Sequence, residues 1–223
     1  MAAVELDALD LAALLCSKVC HDVISPVGAI VNFLELLEEE RDAGRRAEAL
    51  ELLRRSAKTA SAKLQFCRLA FGAAGSAGAS IDTGDAEQVA RALMADGRTT
   101  LEWNAVRLLL PKNKVKLLLN MCLIAAAAIP RGGVITVSIS GGGDETVLKV
   151  ASSGALVRLA GNITGLLAGE PEGGTIDAHA IQPYYTGLVA RAANMTIEID
   201  AASEGVVIEA KPLSAEIRLQ AAN

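Results

Sequence analysis

Histidine is scarce in this chain, with two in 223 residues, and the four cysteines form no C-x-x-C pair. With so few imidazoles and no paired thiols, the usual ligand set of a zinc site is missing. Cys16, Cys20, Cys67 and Cys122 all fall in apolar helical surroundings and are expected to be buried thiols. No run of lysine and arginine occurs, and the net charge is −5 with a pI of about 5.2. Nucleic acid and anionic lipid recruit clustered cations, so neither is expected as a partner. The N-terminal MAAVELD is acidic and the first lysine is Lys18, unlike a secretory signal. The longest apolar stretch, Val115 to Pro130, is interrupted by Lys116 and Asn120. It falls short of the roughly 20 residues that span a bilayer. These absences point to a cytoplasmic protein of one large or two small domains.

The first third of the chain is strongly helical in pattern. Leu11, Leu14, Leu15, Val19, Val23, Pro26, Ile30, Phe33, Leu34 and Leu37 recur at three-four spacing between Leu6 and Glu40. A turn is expected at Arg41 to Gly44. A second helix follows from Arg45 to Phe71, with Leu50, Leu53, Ala57, Ala60, Leu64, Cys67 and Phe71 as its apolar stripe. Glu51 and Arg55 are spaced to pair along it. Two long helices with so short a turn must lie antiparallel. Their stripes are too wide for one hairpin to cover, so a second copy is expected to complete a dimeric four-helix bundle.

Small residues from Gly72 to Ser80 read as a linker, and beyond them the pattern changes. Helices are expected at Asp85–Met94, Lys114–Ile129 and Ile181–Asn194. Strands are expected around Trp103, from Val134, at Thr146–Ser152, at Met195–Asp200 and at Val206–Lys211. This is α+β order, with helices covering one face of a mixed sheet.

The stretch "HDVISP", residues 21–26, is the chemical focus. Proline is normally rejected inside a helix because it lacks an N–H and crowds the preceding turn. Here it leaves the carbonyl of Asp22 without a helical donor and is expected to bend the axis. On a helical wheel His21 shares its face with Ser17, Lys18, Ser25, Gly28, Asn32 and Glu35. That face is polar and small, so His21 is expected to point to solvent over a shallow floor. Composition alone would favour an ordinary surface histidine.

The motif resembles the H-box of sensor histidine kinases, H-[ED]-x-x-[TSN]-P, in which the histidine is phosphorylated. The resemblance makes His21 the phosphorylated residue and Asp22 the acid that orients the ring or takes its proton. Ser25 and Pro26 complete the matching motif; Lys18, Ile24, Gly28 and Asn32, by their place on or near the His21 face, are candidate supporting or partner-contacting residues. Val27 and Val31 read equally as bundle core. The antiparallel geometry brings the Lys63 to Arg68 region opposite His21. Each of these charges also reads as ordinary solvated surface.

The second half resembles a kinase ATP-binding domain from which the nucleotide chemistry has been lost. Asn120 matches the first asparagine of the kinase N-box, but its magnesium-binding asparagine falls on Ile124 and its lysine on Ala127. Ser152 stands where the adenine-binding aspartate belongs. Of the last glycine box, only Gly187-Leu188 remains. A phosphorylatable histidine beside an altered nucleotide site resembles the ChpT-type histidine phosphotransferases of alphaproteobacteria. The resemblance rests on "LCSKVCHDVISPVGAIVNFLELLEE", on "LQFCRLAFGA" and on the kinase-like second half.

It implies a helical hairpin over residues 1–73, a linker at 74–80 and a degenerate histidine-kinase ATPase-like α/β sandwich over 81–223. It implies a homodimer that takes phosphate from the receiver domain of a hybrid histidine kinase. The phosphate then passes to receiver domains of response regulators. It implies no cofactor or metal held by this chain, with Mg²⁺ supplied by the receiver. An active kinase with an unusual nucleotide site and a non-enzymatic scaffold are the competing readings. His179, in a loop far along the chain, is not expected to act catalytically.

Overall fold

Asp7 opens the first helix, its carboxylate accepting the N–H groups of Leu9 and Asp10. This is the ordinary use of a short acid at an N-cap. Helix α1 then runs unbroken through Pro26 from Ala8 to Glu39. The computed structural model describes residues 4–72 and 78–213 of the chain.

The turn is tighter than the sequence suggests. Asp42 caps α2, Ala43–Ala70, by accepting the Arg45 N–H, so Gly44 already lies in its first turn. Arg46 reaches back to the carbonyls of Leu37 and Glu40, covering acceptors that the end of α1 leaves open. On α2, Glu51 pairs with Arg54 at 3.8 Å and not with Arg55. Both spacings are within reach on a helix, and the pattern does not choose between them.

Three faces of α1 are distinct. Pro26 is buried and the half-buried Val19, Val23, Ile30, Phe33 and Leu37 lie on the same side, in the α1–α2 hairpin. His21, Ser25 and Asn32 are exposed on the polar side. Between them Cys16, Cys20, Ile24, Val27, Val31 and Leu34, spaced by three or four, form an exposed apolar stripe. The two N-terminal cysteines are therefore not buried, contrary to expectation, because they sit on the side that α2 leaves open. Cys67 and Cys122 are buried. Among the described helices, α1 alone has the length and apolar composition of a membrane span. α2 occupies one apolar face of this helix, and the stripe from Cys16 to Leu34 is a second that is exposed.

Of the expected linker, residues 73–77 lie outside the described residues, and Ser80 already belongs to strand β1. The second half runs β1 (Ser80–Asp82), α3 (Thr83–Met94), β2 (Thr99–Asn104), β3 (Leu109–Pro111), α4 (Lys112–Ala128), β4 (Gly133–Ser140) and β5 (Val147–Ser153). It continues with α5 (Ile163–Ala168), α6 (Ile181–Ala192), β6 (Met195–Ala202) and β7 (Gly205–Pro212). The segment around Trp103 divides between two sheets: β3 pairs with β1, while β2 joins the main sheet. β1 and α5 are too short to show a period and were not expected.

The main sheet is mixed, in the order β2-β4-β5-β7-β6. β2 and β4 are parallel with α4 as the crossover, and the remaining pairs are antiparallel. Alternation puts Ile135, Val137, Leu148, Val150, Val206, Ile208 and Ala210 on the buried face. The other face is polar, with Lys211 joined to Glu198 and Glu209 at 2.8 and 2.9 Å. Helix α4 is buried on several sides at once, which explains its long apolar run.

The halves are held together at defined points. Phe66 and Ala70 of α2 belong to the same buried cluster as α4. Asn120 donates to the Ala70 carbonyl at 3.2 Å. The segment before α1 is strapped to the second half. Val4 N–H donates to Gly169 at 2.7 Å, Tyr184 hydroxyl donates to the Val4 carbonyl at 3.1 Å, and Leu6 N–H donates to that hydroxyl at 3.3 Å.

Candidate functional site

A proline nitrogen carries no hydrogen, so Pro26 cannot supply the helical bond to the carbonyl of Asp22. The structure provides a substitute: Lys63 of α2 donates its ammonium to that carbonyl at 2.7 Å. A carbonyl freed by sequence is thus satisfied from the neighbouring helix. The Lys63 to Arg68 region was expected opposite His21; Lys63 instead bonds the backbone of Asp22.

His21 itself is 73% exposed at its side chain, whereas Asp22 and Lys18 are about half as open or less, at 30% and 24%. The Nδ1 atom of His21 lies 3.4 Å from one carboxylate oxygen of Asp22. The other oxygen is held by the Lys18 ammonium in an i,i+4 ion pair. Nε2 of His21 has no hydrogen-bond partner among the described residues. This asymmetry leaves Nε2 as the free nitrogen and puts negative charge behind Nδ1. An imidazole so disposed can act as a nucleophile through Nε2 while a carboxylate offsets the charge that develops on the ring.

The other expected residues divide by exposure. Ile24, Ser25 and Asn32 are exposed beside His21. A Cβ built on Gly28 meets nothing within 4 Å, so the floor next to the histidine is open. Pro26 is buried and acts inside the hairpin, not as a contact surface.

The second half reaches this site through a residue not expected there. His179, in the turn before α6, brings its ring to 6.2 Å from the His21 ring, centroid to centroid, at an interplanar angle of 77°. Asp177 fixes that turn by accepting the N–H groups of Ala180 and His179, at 2.8 and 2.9 Å. Those two bonds hold its carboxyl below the usual carboxylate range. A cleft of about 500 Å³ opens beside the pair, lined among others by Lys18, Ile124, Ala127, Arg158, His179 and Gln182.

Three positions that match nucleotide-binding residues, Asn120, Ser152 and Gly187, are buried. Asn120 is fully buried, donating to Ala70 and to Lys116, and accepting from Gln182 at 3.1 Å. Ser152 is buried in β5 with no partner for its hydroxyl. A Cβ on Gly187 would lie 2.0 Å from the Leu167 carbonyl, so this glycine lets α6 touch the end of α5. Among the described residues no group of three metal-ligating side chains is gathered.

Comparison with known proteins gives a consistent picture. The sequence profile of the histidine phosphotransferase C-terminal domain matches residues 83–205. A protein phosphotransferase ChpT of Brucella abortus (strain 2308) is 50% identical over 208 residues, 93% of this chain and 98% of that one. A solved bacterial phosphotransferase superposes with a TM-score of 0.86 at 48% identity, covering 95% of this chain and all of the other.

Proposed function

Because this chain belongs to the ChpT-type histidine phosphotransferases, we propose that His21 is its phosphorylated residue and that it relays phosphate between receiver domains. The observation that carries this reading is the "HDVISP" box on an exposed helix face, with Nδ1 of His21 turned to Asp22 and Nε2 free.

A phospho-aspartate on the receiver of a hybrid histidine kinase docks against the exposed side of α1, where Ile24, Ser25, Gly28 and Asn32 flank the histidine. The receiver's acidic pocket brings the Mg²⁺. The lone pair of Nε2 attacks phosphorus in line. The bond from phosphorus to the aspartyl oxygen breaks, and its electron pair leaves on the carboxylate. The ring, still protonated at Nδ1, becomes cationic, and Asp22 offsets that charge. Lys18 fixes the carboxylate in place. A second receiver, that of a response regulator, then docks on the same face. Its aspartate attacks phosphorus, the N–P bond breaks, and the electron pair returns to Nε2. Such transfers depend on position and charge neutralisation, with little covalent help from the protein. No ATP enters the cycle.

The active form is a cytoplasmic homodimer built on a four-helix bundle. The exposed apolar residues Cys16, Cys20, Val27, Val31 and Leu34 of α1 support this, as do exposed Leu50 and Leu64 on α2. An apolar face of that length needs a cover, and a second hairpin presents the same face. Sedimentation should give twice the mass of the chain.

The decisive assay incubates the protein with labelled ATP alone, then with an autophosphorylated hybrid kinase carrying its receiver. Label only from the receiver, lost in His21→Ala, is the expected result. Label from ATP alone would make the protein a kinase. No transfer from several receivers would leave it a scaffold.

A further inference from the structure

The proposal here rests on the reading of His21 as the relay residue. An exposed histidine on a helix has several rotamers open to it, while in-line transfer uses one orientation of Nε2. Among the described residues the hydrogen-bonding neighbour of His21 is Asp22, at 3.4 Å, a long contact between side chains that diverge around the axis. The remaining constraint comes from the second half of the chain. We propose that His179 is a positioning residue for phosphoryl transfer, its ring packing edge-to-face on His21 and selecting the orientation that presents Nε2.

The geometry is built to hold His179 still. Asp177 locks the turn with two backbone bonds, and helix α6 begins two residues after His179. In the first turn of α6, Gln182 is tied to Asn120 and to Thr186. Tyr184, 2% exposed, holds the strand of chain that leads into α1. The platform that carries His179 is therefore fastened to α1 and to α4 independently of the ring contact itself. Ring pairs at 6.2 Å and a steep angle are in the favoured edge-to-face range. The second half of the protein thereby acts on the transfer site directly, in addition to any surface that it offers a receiver.

His179 is exposed, so its replacement leaves no cavity. Wild type, His179→Ala, His179→Phe and His21→Ala would be compared as full chains. Single-turnover transfer from a phosphorylated receiver would be followed over a range of receiver concentrations. His179→Ala is expected to slow transfer at saturating receiver by roughly two- to twelvefold, the worth of one aromatic edge contact expressed as a rate. The half-saturating concentration should stay unchanged, and His179→Phe, which keeps a ring, should recover most of the rate. The nitrogen-15 signals of the His21 ring should shift in His179→Ala towards averaged values and return in His179→Phe.

A wild-type rate in His179→Ala would overturn the proposal. So would an effect confined to half-saturation, which would make His179 a docking contact. Failure of His179→Phe to recover the rate would equally exclude orientation by ring packing. His21→Ala keeps the two readings apart. Label persisting in that variant refutes the relay assignment. Label lost there, with His179→Ala unaffected, refutes the role of His179 alone.

Discussion

Replacing Lys63 by methionine tests how the chain tolerates a proline within a functional helix. Methionine keeps most of the aliphatic stem and removes the ammonium that bonds the Asp22 carbonyl at 2.7 Å. A hydrogen bond from a charged donor contributes about 1.5–3 kcal/mol. Ordering a lysine side chain costs up to about 2 kcal/mol, and water can reach this half-buried site. The net loss expected for Lys63→Met is therefore about 1 kcal/mol. In a Pro26→Ala background the backbone N–H that the substitution introduces satisfies the same carbonyl through the ordinary helical bond. There Lys63→Met should cost only about 0.3 kcal/mol or less. The four proteins form a double-mutant cycle with a coupling near ~0.7 kcal/mol. Thermal unfolding at one fixed protein concentration would register that coupling as about 1.5–3 °C. Whatever Pro26→Ala does on its own, through lost ring burial or better helix propensity, cancels from the coupling. Additive midpoints would show that Lys63 does not compensate for the proline.

Gly187→Ala should destabilise by about 3 kcal/mol or more, because the added Cβ falls 2.0 Å from the Leu167 backbone carbonyl; an unchanged urea midpoint would refute this. Ser152→Ala should raise stability by about 1 kcal/mol, since it removes a buried hydroxyl that has no partner; a lower midpoint would mean that the hydroxyl is bonded in solution. Burial pushes the Cys122 thiol up to about 12 and raises that of Cys67, so both stay protonated at pH 8. Native protein treated with a thiol reagent should leave these two unmodified, and mass spectrometry finding either labelled before unfolding would contradict the packing.

The elements that a sequence reading finds easily are those with a long internal period. The hairpin, α4, α6 and the β6–β7 pair follow from repeats of three-four or two, within a few residues of their ends. β1 and α5, of three and six residues, contain less than two periods and leave no signal. Cys16 and Cys20 look the same in sequence as Cys67 and Cys122, for all four sit among apolar neighbours. Only the packing of the helices decides which of them is covered: α2 leaves Cys16 and Cys20 open, while Cys122 lies in the core around α4.

The amino-acid sequence by itself determined the hairpin, the motif around His21 and the carbonyl of Asp22 left open by Pro26. The hairpin rests on a period repeated along each helix, and the other two depend on residues within about two helical turns of one another, where backbone geometry fixes the neighbours. The tertiary structure alone decided that Lys63 would answer that carbonyl, that Asn120 would tie α4 to Ala70, and that His179 would meet His21. These meetings join segments distant in sequence, and their register is set by how α2, α4 and α6 pack together. No local period encodes it. The motif around His21 is thus written in one short stretch, while the contacts that surround it come from across the fold.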